Sequence, residues 1–443
     1  MRELDAKLLL ACAAAERGFD AVLGFRTEVH LRAASLPRGT YFAKSFRPIS
    51  LRFFEIARGL GHDVVACDEE ALVPYPDELY FVRRVSPETL ALISTLFAWG
   101  PSSAALFRRC PGYASQPIYE AGNPRADLLR PELRSYHEKA VGRVRDRFGD
   151  FLLVNTNFGT VNHYVSRLGW LKSPPSSGAY EPVRDYIAGL ALHREALFGK
   201  FQRLVPLLSR AFPGLNVVVR PHPVEGLDTW RKIALDLPNV HVVQEGNVVP
   251  WLLASRVLVH NGCTTSVENF ILGKPAVAYM PVTHESYDHE LPNQLGYRAA
   301  GSDELVDRIR AVLDRDLGAP ADPEPKRLLA QNVSALDGPL ACDRIVAGLE
   351  EQLRVRGPLP PPPRLRFARE WLHAEGRAAV KRAKSLFPGN ASSADYQHHR
   401  FPPLASADLE ERIGELGAAL GRFGRLRVRA LHPKIFGIRA SSG

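Results

Sequence analysis

Much that would settle the function of a 443-residue chain is missing from this one. No apolar run reaches the ~18 residues that a membrane-spanning helix needs. Arg2, Glu3, Asp5 and Lys7 break the first apolar run too early for a secretory signal. The five cysteines (Cys12, Cys67, Cys110, Cys263, Cys342) are odd in number, scattered, and lack CxxC or any metal spacing. That excludes a disulfide framework or zinc site and fits a reducing cytoplasm. Walker A, HExxH, GxSxG and GxGxxG are all absent, which argues against a P-loop kinase, a zincin, an α/β-hydrolase and a standard dinucleotide fold. Net charge is also scarce over most of the length. Residues 364–443 carry 15 Lys/Arg against 7 Asp/Glu, so nearly all of the net +9 sits in this tail. A nucleic-acid-binding fold would carry its basic surface on the folded module itself, so no nucleic-acid partner is expected. The tail suits an anionic membrane surface or an acidic partner, or is simply solvated.

What is present is alternation. Apolar runs of strand length recur between stretches of helical period, the pattern of an α/β protein. The length suggests two or three domains. A helix over 2–17 opens the chain, and 19–23 reads as a short strand. Strands follow at 40–43, 64–67, 96–99 and 117–120, with helices over 48–60, 86–94 and after Pro101. The strand at 64–67 ends in Asp68-Glu69-Glu70, at the strand end where open α/β sheets place their chemistry. At most one or two of these acids can point into a cleft; a solvated acidic loop is the other reading. In GNPRAD (122–127), Gly122 and Pro124 make a rigid turn presenting Asn123, Arg125 and Asp127. Arg125 can clamp a phosphate or carboxylate, and Asp127 can act as a base or cap the next helix.

A charged helix over 131–147 leads to a second half that starts with a strand at 151–154, followed by Asn155, Thr156, Asn157, Asn162 and His163. The Pro/Ser/Gly-rich 171–180 reads as a mobile loop. A long helix near 181–211 leads to the strand 217–219 and then RPHP, where Pro221 and Pro223 fix the backbone around His222, beside Arg220. A strand at 240–243 and a helix at 248–255 follow. THESYDHELPNQLG (283–296) holds histidines and acids at spacings that fit no standard metal set. Helices over 303–316, 325–335 and 341–355 close this half. A stiff proline run at 358–363 then leads to a basic helix over 364–386, a connector at 396–403 and an amphipathic helix near 406–422.

The most informative stretch is VLVHNGCTTSVENFILGKPAVAY (257–279): strand, polar turn (His260, Asn261, Gly262), helix, strand. Thr264, Thr265 and Ser266 crowd the helix start, where hydroxyls and unpaired N–H groups make an anion site. Glu268 lies one turn further in, placed to accept from the hydroxyls of a ribose. An ordinary capped helix is the plainer reading. Cys263 beside the helix start has the setting of a lowered pKa, though a buried structural role is the simpler one.

This pattern resembles the nucleotide-binding element of GT-B glycosyltransferases and of the related UDP-sugar 2-epimerases. With RELDAKLLL (2–10), GNPRADLLRPELR (122–134), FLLVNTNFGTVNH (151–163), VVVRPHP (217–223) and VVPWLLASRVLVHNGCTTSVE (248–268), the chain is similar over almost its whole length to the bacterial surface carbohydrate biosynthesis protein family. Relatives in that family have a strand ahead of the RELDAK helix. Here either the start is late or the sheet lacks an edge strand. The RPHP segment resembles the His-Pro element of transferases acting on CMP- and CDP-activated donors.

The resemblance implies a GT-B-like fold: two facing Rossmann-like domains with parallel sheets (1–149 on the acceptor side, 150–357 on the donor side) and a helical tail (358–443). It implies a cytoplasmic glycosyltransferase, or one peripheral on the inner membrane, moving a sugar from a CMP- or CDP-type donor to a surface polysaccharide or lipid-linked acceptor. Arg220, His222, His260, Asn261, Gly262, Thr264, Thr265, Ser266 and Glu268 would bind the donor. Asn123, Arg125 and Asn157 would face the acceptor, and Glu69, Glu70, Asp127 and His222 would be catalytic. No cofactor is expected beyond the nucleotide-sugar substrate, nor any metal. A sugar-nucleotide 2-epimerase, a CDP-alcohol phosphotransferase and a non-catalytic scaffold of a capsule-assembly complex are the alternatives.

Overall fold

The computed structural model describes residues 2–164, 178–357, 359–385 and 404–441. The connector expected at 396–403 and most of the loop expected at 171–180 lie outside them. The chain divides into two compact units, one of residues 72–82 and 129–332, the other of 3–71, 83–128 and 333–443.

In the second unit the opening helix, Arg2–Glu16, precedes β1 (Ala21–Gly24). β1 was expected as a strand of the first half but does not join its parallel sheet. That sheet is formed by β2 (Thr40–Ala43), β3 (Asp63–Ala66), β4 (Thr95–Phe97) and β5 (Ile118–Tyr119), all parallel and in sequence order. The helix Leu51–Gly59 packs Phe53, Phe54 and Ile56 into the core. The expected helix at 86–94 shrinks to Pro87–Leu90; an unanticipated helix, Asp77–Arg84, lies mostly in the segment 72–82 that belongs to the first unit.

The first unit is organised by β6 (Phe151–Asn155), β7 (Asn216–Arg220), β8 (Val240–Val242), β9 (Val257–His260), β10 (Ala276–Tyr279) and β11 (Tyr297–Ala299). They lie parallel in the order β8-β7-β6-β9-β10-β11, the doubly wound order 3-2-1-4-5-6. Strands buried on both faces should read as continuous apolar runs, and FLLV, VVV and VLV do. Period 2 then sorts the side chains. Leu152, Val154, Val217, Val219, Val257 and Val259 meet Ile187, Leu190, Leu197 and Phe201 of the long helix Arg184–Ala211. Phe151, Leu153, Val218 and Leu258 meet Val141, Val144, Phe148 and Trp251 on the other face. This is why 129–149, assigned by sequence to the first half, folds with the six-stranded sheet: its helix, Glu138–Phe148, is part of that layer.

The tail differs from a linker followed by loose helices. The proline run is held in the second unit, where Arg38 donates to the carbonyls of Leu359 (2.7 Å) and Pro360 (3.0 Å). The helix Arg364–Ser385 packs on Leu51–Gly59. Beyond the helix Ser406–Leu420, the hairpin of β12 (Leu426–His432) and β13 (Ile435–Ala440) takes β1 as its third, antiparallel strand, in the order β1-β13-β12. Sequence reading missed this hairpin. Leu426 and Val428 alternating with Arg427 and Arg429, then His432-Pro433-Lys434, is strand–turn chemistry. Among the described residues no helix is long and apolar enough to cross a membrane.

Candidate functional site

In a doubly wound sheet the crevice opens where the strand order reverses, at the carboxyl ends of strands one and four. Here those are β6 and β9, ending at Asn155 and His260. Asn155 Nδ2 donates to Thr265 Oγ1 across this point at 3.0 Å. After β9 the chain turns through Asn261 and Gly262 into the helix Thr264–Ile271, with Cys263 as N-cap but no side-chain cap bond. Gly262 has φ +56°, which a side chain would strain. Its N–H donates to Asn293 Oδ1 at 2.7 Å.

The residues expected to bind a donor divide sharply. Ser266 is buried, its hydroxyl within reach of the carbonyls of Cys263 (3.0 Å) and Pro292 (2.7 Å). Thr265 donates to Cys263 Sγ at 3.0 Å while accepting from Asn155. Asn261 donates to the Tyr279 carbonyl at 2.9 Å, tying the turn to β10. Arg220 turns to the carbonyls of Glu245 and Gly246, both at 2.9 Å. These four hold the local structure. Thr264 is half-buried at the helix start, and Glu268 is buried one turn in.

Other groups at this edge are unsatisfied. His260 is fully buried with both ring nitrogens unbonded, and burial pushes its pKa down to about 3. Asn155 Oδ1 and Asn293 Nδ2 are also buried without partners. Arg194, from the middle of the long helix, is 5% exposed and its Nη1 has no partner. A Cβ on Gly262 would lie 3.9 Å from Arg194 Nη2 and 3.3 Å from His289 Cδ2. Arginine, glycine turn and His289 thus crowd together at the start of the helix. Burial, then the Arg194 charge, lowers the His289 pKa to about 3. His193, next to Arg194, bonds Asp288 at 3.0 Å. Burial pushes the Asp288 carboxyl up, but its bonds with His193 and the His284 N–H, with the charges nearby, hold it below its ordinary value. His284 stacks on Tyr287 at 3.9 Å.

His222 is exposed on a rigid loop. Its Nδ1 accepts from the Val224 N–H at 3.3 Å, which leaves the proton of the neutral ring on Nε2. The loop is fixed by Glu225, 1% exposed, which accepts from Thr156 Oγ1 (2.7 Å), the N–H groups of Phe158 and His222 (both 3.0 Å) and Trp230 Nε1 (3.2 Å). Burial raises the Glu225 pKa despite these bonds. Asn157 stands half-buried in the β6 loop that this carboxylate organises.

The candidates in the second unit mostly have partners within it. Asp127, expected as a base or a local cap, accepts from the N–H groups of Ala341 (2.7 Å) and Cys342 (2.9 Å). It therefore caps the helix Ala341–Arg356, far away in sequence. Glu69 is buried between Lys7 Nζ (2.5 Å), Asn123 Nδ2 (3.1 Å) and Arg125 Nη1 (4.0 Å). Burial pushes its pKa up, but Lys7 and Arg125 outweigh that and hold it low. Arg125 lies over the Trp99 ring at 5.3 Å. Asp68 is paired with Arg84. Glu70 alone of the three consecutive acids is exposed.

Sequence reading missed Arg194 and Glu225, yet Arg194 had left a signal. Ile187, Leu190, Leu197, Phe201, Leu204 and Leu208 mark a regular inward stripe, and position 194 falls on it. A cation at such a position is either paired or waiting for a partner. Glu225 had no comparable marker.

No family model matches the chain, and no curated protein matches it. Among solved structures it is similar to the wall teichoic acid polymerase TagF (12% identity, TM-score 0.42, covering 67% of this chain and 70% of that one). It is also similar to UDP-GlcNAc 2-epimerase from Methanocaldococcus jannaschii (11% identity, TM-score 0.45, 74% and 84% covered). A third is Anabaena Alr3699/HepE, solved with UDP-glucose (14% identity, TM-score 0.35, 81% of each chain). At these identities and scores the likeness does not extend to activity.

Proposed function

We propose that the chain is a GT-B-like glycosyltransferase of surface-carbohydrate biosynthesis that binds a nucleotide-activated sugar at the β6/β9 edge. The observation that carries this is Arg194: a buried guanidinium with an unbonded nitrogen, beside Gly262 and the start of the helix Thr264–Ile271. Burying a guanidinium with an unbonded nitrogen is costly, and an anion at a helix start is favoured by the N–H groups and the helix dipole. A phosphate there would satisfy both. His260, Asn155 and Asn293 would supply the remaining polar contacts through their unbonded atoms. Thr264 would cap the phosphate and Glu268 would take the ribose hydroxyls.

His222 has the right protonation for the departing group, since an Nε2–H can donate to a phosphate oxygen as charge builds up. CMP- or CDP-linked donors are favoured on the RPHP resemblance, with a glycan or lipid-linked acceptor. Of the acids considered for acceptor chemistry, Asp127 caps a helix, Glu69 is held at low pKa by Lys7 and Arg125, and Glu70 is exposed. No metal or further cofactor is required in this scheme. The commitment of Glu69 and Asp127 also favours a second reading, a sugar-nucleotide epimerase that needs no acceptor.

A thermal-shift panel of CMP-, CDP-, UDP-, GDP- and dTDP-sugars, followed by product analysis, tests both. Stabilisation by a CMP- or CDP-sugar, with turnover only when acceptor is present, supports the transferase. Stabilisation by UDP-sugars alone, with isomer formed in the absence of acceptor, supports the epimerase. No response to any nucleotide removes both.

A further inference from the structure

The helix Arg364–Ser385 packs the wrong way out for one whose only task is to pack. Its inward face is small and partly charged: Glu370, Ala374 and Ala378, one turn apart, are its buried residues. The approach is close, since a Cβ on Gly59 would fall 2.2 Å from Glu370 Cγ. Its larger aliphatic side chains point away. Leu365 is 88% exposed, Leu372 64% and Val380 55%. At 3.6 residues per turn, Leu365, Leu372, Ala379 and Ala383 form one stripe opposite Ala374, with Val380 beside it.

Cations border this stripe along both edges. Arg364 and Arg382 fall on one side and Arg366 and Lys384 on the other, while Arg369 lies between Leu365 and Val380 with its guanidinium drawn to Glu370; all five cations are exposed. The helix contains only two acids. Glu370 faces inward, bonded to Arg369 and His373, and Glu375 is half-buried. An apolar strip between two rows of basic groups complements an anionic lipid surface, with side chains entering the headgroup boundary and cations meeting the lipid charge.

We propose that this outward face of the helix docks the chain on an anionic bilayer, the helix lying in the plane of the surface. Packing against Leu51–Gly59 and Arg26–Leu31 fixes which face is presented, so no folding step accompanies binding. The inference is independent of the nucleotide reading, because every residue it uses lies outside that site.

The full chain should co-sediment with phosphatidylcholine vesicles containing about one-third phosphatidylglycerol, not with pure phosphatidylcholine, and should be released by about 0.5 M salt. Leu365→Ser with Leu372→Ser should weaken binding at least ~10-fold. Arg364→Gln with Arg382→Gln should weaken it about fivefold per cation. Since all four positions are exposed, melting temperature should stay unchanged, which separates lost docking from lost fold. Absence of binding to anionic vesicles overturns the proposal, as does binding that neither pair weakens. So does a concentration-dependent dimer that the leucine pair dissolves while vesicle binding is absent, which would make the stripe a contact between copies.

Discussion

Replacing Arg194 with methionine should stabilise the free protein and abolish its response to nucleotide. The side chain is 5% exposed, its Nη1 has no hydrogen-bond partner, and the carboxylate whose charge it feels, Asp288, is already bonded to His193. It lies on the inward stripe of Arg184–Ala211, between Leu190 and Leu197. Replacing buried charge with apolar volume of similar length often stabilises a fold by about 1–4 kcal/mol. For a unit of about 200 residues, each kcal/mol moves the melting point by about 2–4 °C. The free variant should therefore melt about 2–15 °C higher. The wild type, at a donor concentration of about 100 Kd, should gain about 2.7 kcal/mol from binding. The variant should gain almost none, so the two melting curves should converge or cross as nucleotide-sugar is added. Differential scanning fluorimetry with and without donor reads both effects in one plate. A variant that melts lower when free and keeps the full ligand shift would refute the reasoning, since Arg194 would then be a satisfied structural cation.

Three further outcomes follow from the geometry. Asp127→Ala should cost about 2–4 kcal/mol, because the N–H groups of Ala341 and Cys342 lose their acceptor; turnover per folded molecule, measured beside urea unfolding, should hardly change, and selective loss of turnover would restore Asp127 as a base. Glu225→Gln should cost about 1–3 kcal/mol and lower donor affinity, because an amide whose oxygen keeps the three donors at Oε1 sets its NH2 against Trp230 Nε1–H, which Oε2 accepts at 3.2 Å; unchanged stability would refute this account of the loop. His260 is held neutral with its pKa lowered from 6.5 to about 3, so its contribution to stability is complete above pH 6.5 and is lost as pH falls towards 3, at about 1.4 kcal/mol per pH unit. His260→Leu should flatten the stability profile between pH 7 and 5 by about 2 kcal/mol, and an unaltered profile would mean that His260 binds its proton within the fold.

Five strands of the six-stranded sheet were legible because burial on both faces leaves little freedom in residue choice; the short edge strand β11, with its half-buried Tyr297 and exposed Arg298, was not. The apolar runs of those five, the turn after β9 and the helix Thr264–Ile271 all appear where periodicity put them. Partners were not legible. Thr265, Ser266 and Arg220 are chemically apt for phosphate, and nothing in their spacing shows that backbone carbonyls, or in Thr265 a neighbouring side chain, take up their donors. Asp127 reads as a local cap or a base, and only the fold reveals that it caps a helix more than two hundred residues later. Long-range pairing of this kind has no sequence period. The same limit hid the association of β1 with β13, whose strands lie near opposite ends of the chain.

Two positions break the local rules that the rest of the chain obeys. Position 194 puts a cation where the helix stripe calls for an aliphatic, and Arg364–Ser385 puts its leucines outside and a glutamate inside. Local sequence and global fold normally agree, and conflicts concentrate where function imposes them. The conflicts here are of opposite kinds. At 194 a buried guanidinium keeps an unbonded nitrogen, which a small anion would satisfy within the unit. On the outward face of the helix, apolar surface lacks cover and cations border it, a combination too extended for a small ligand to fill. The first therefore points to a phosphate-bearing substrate and the second to a surface.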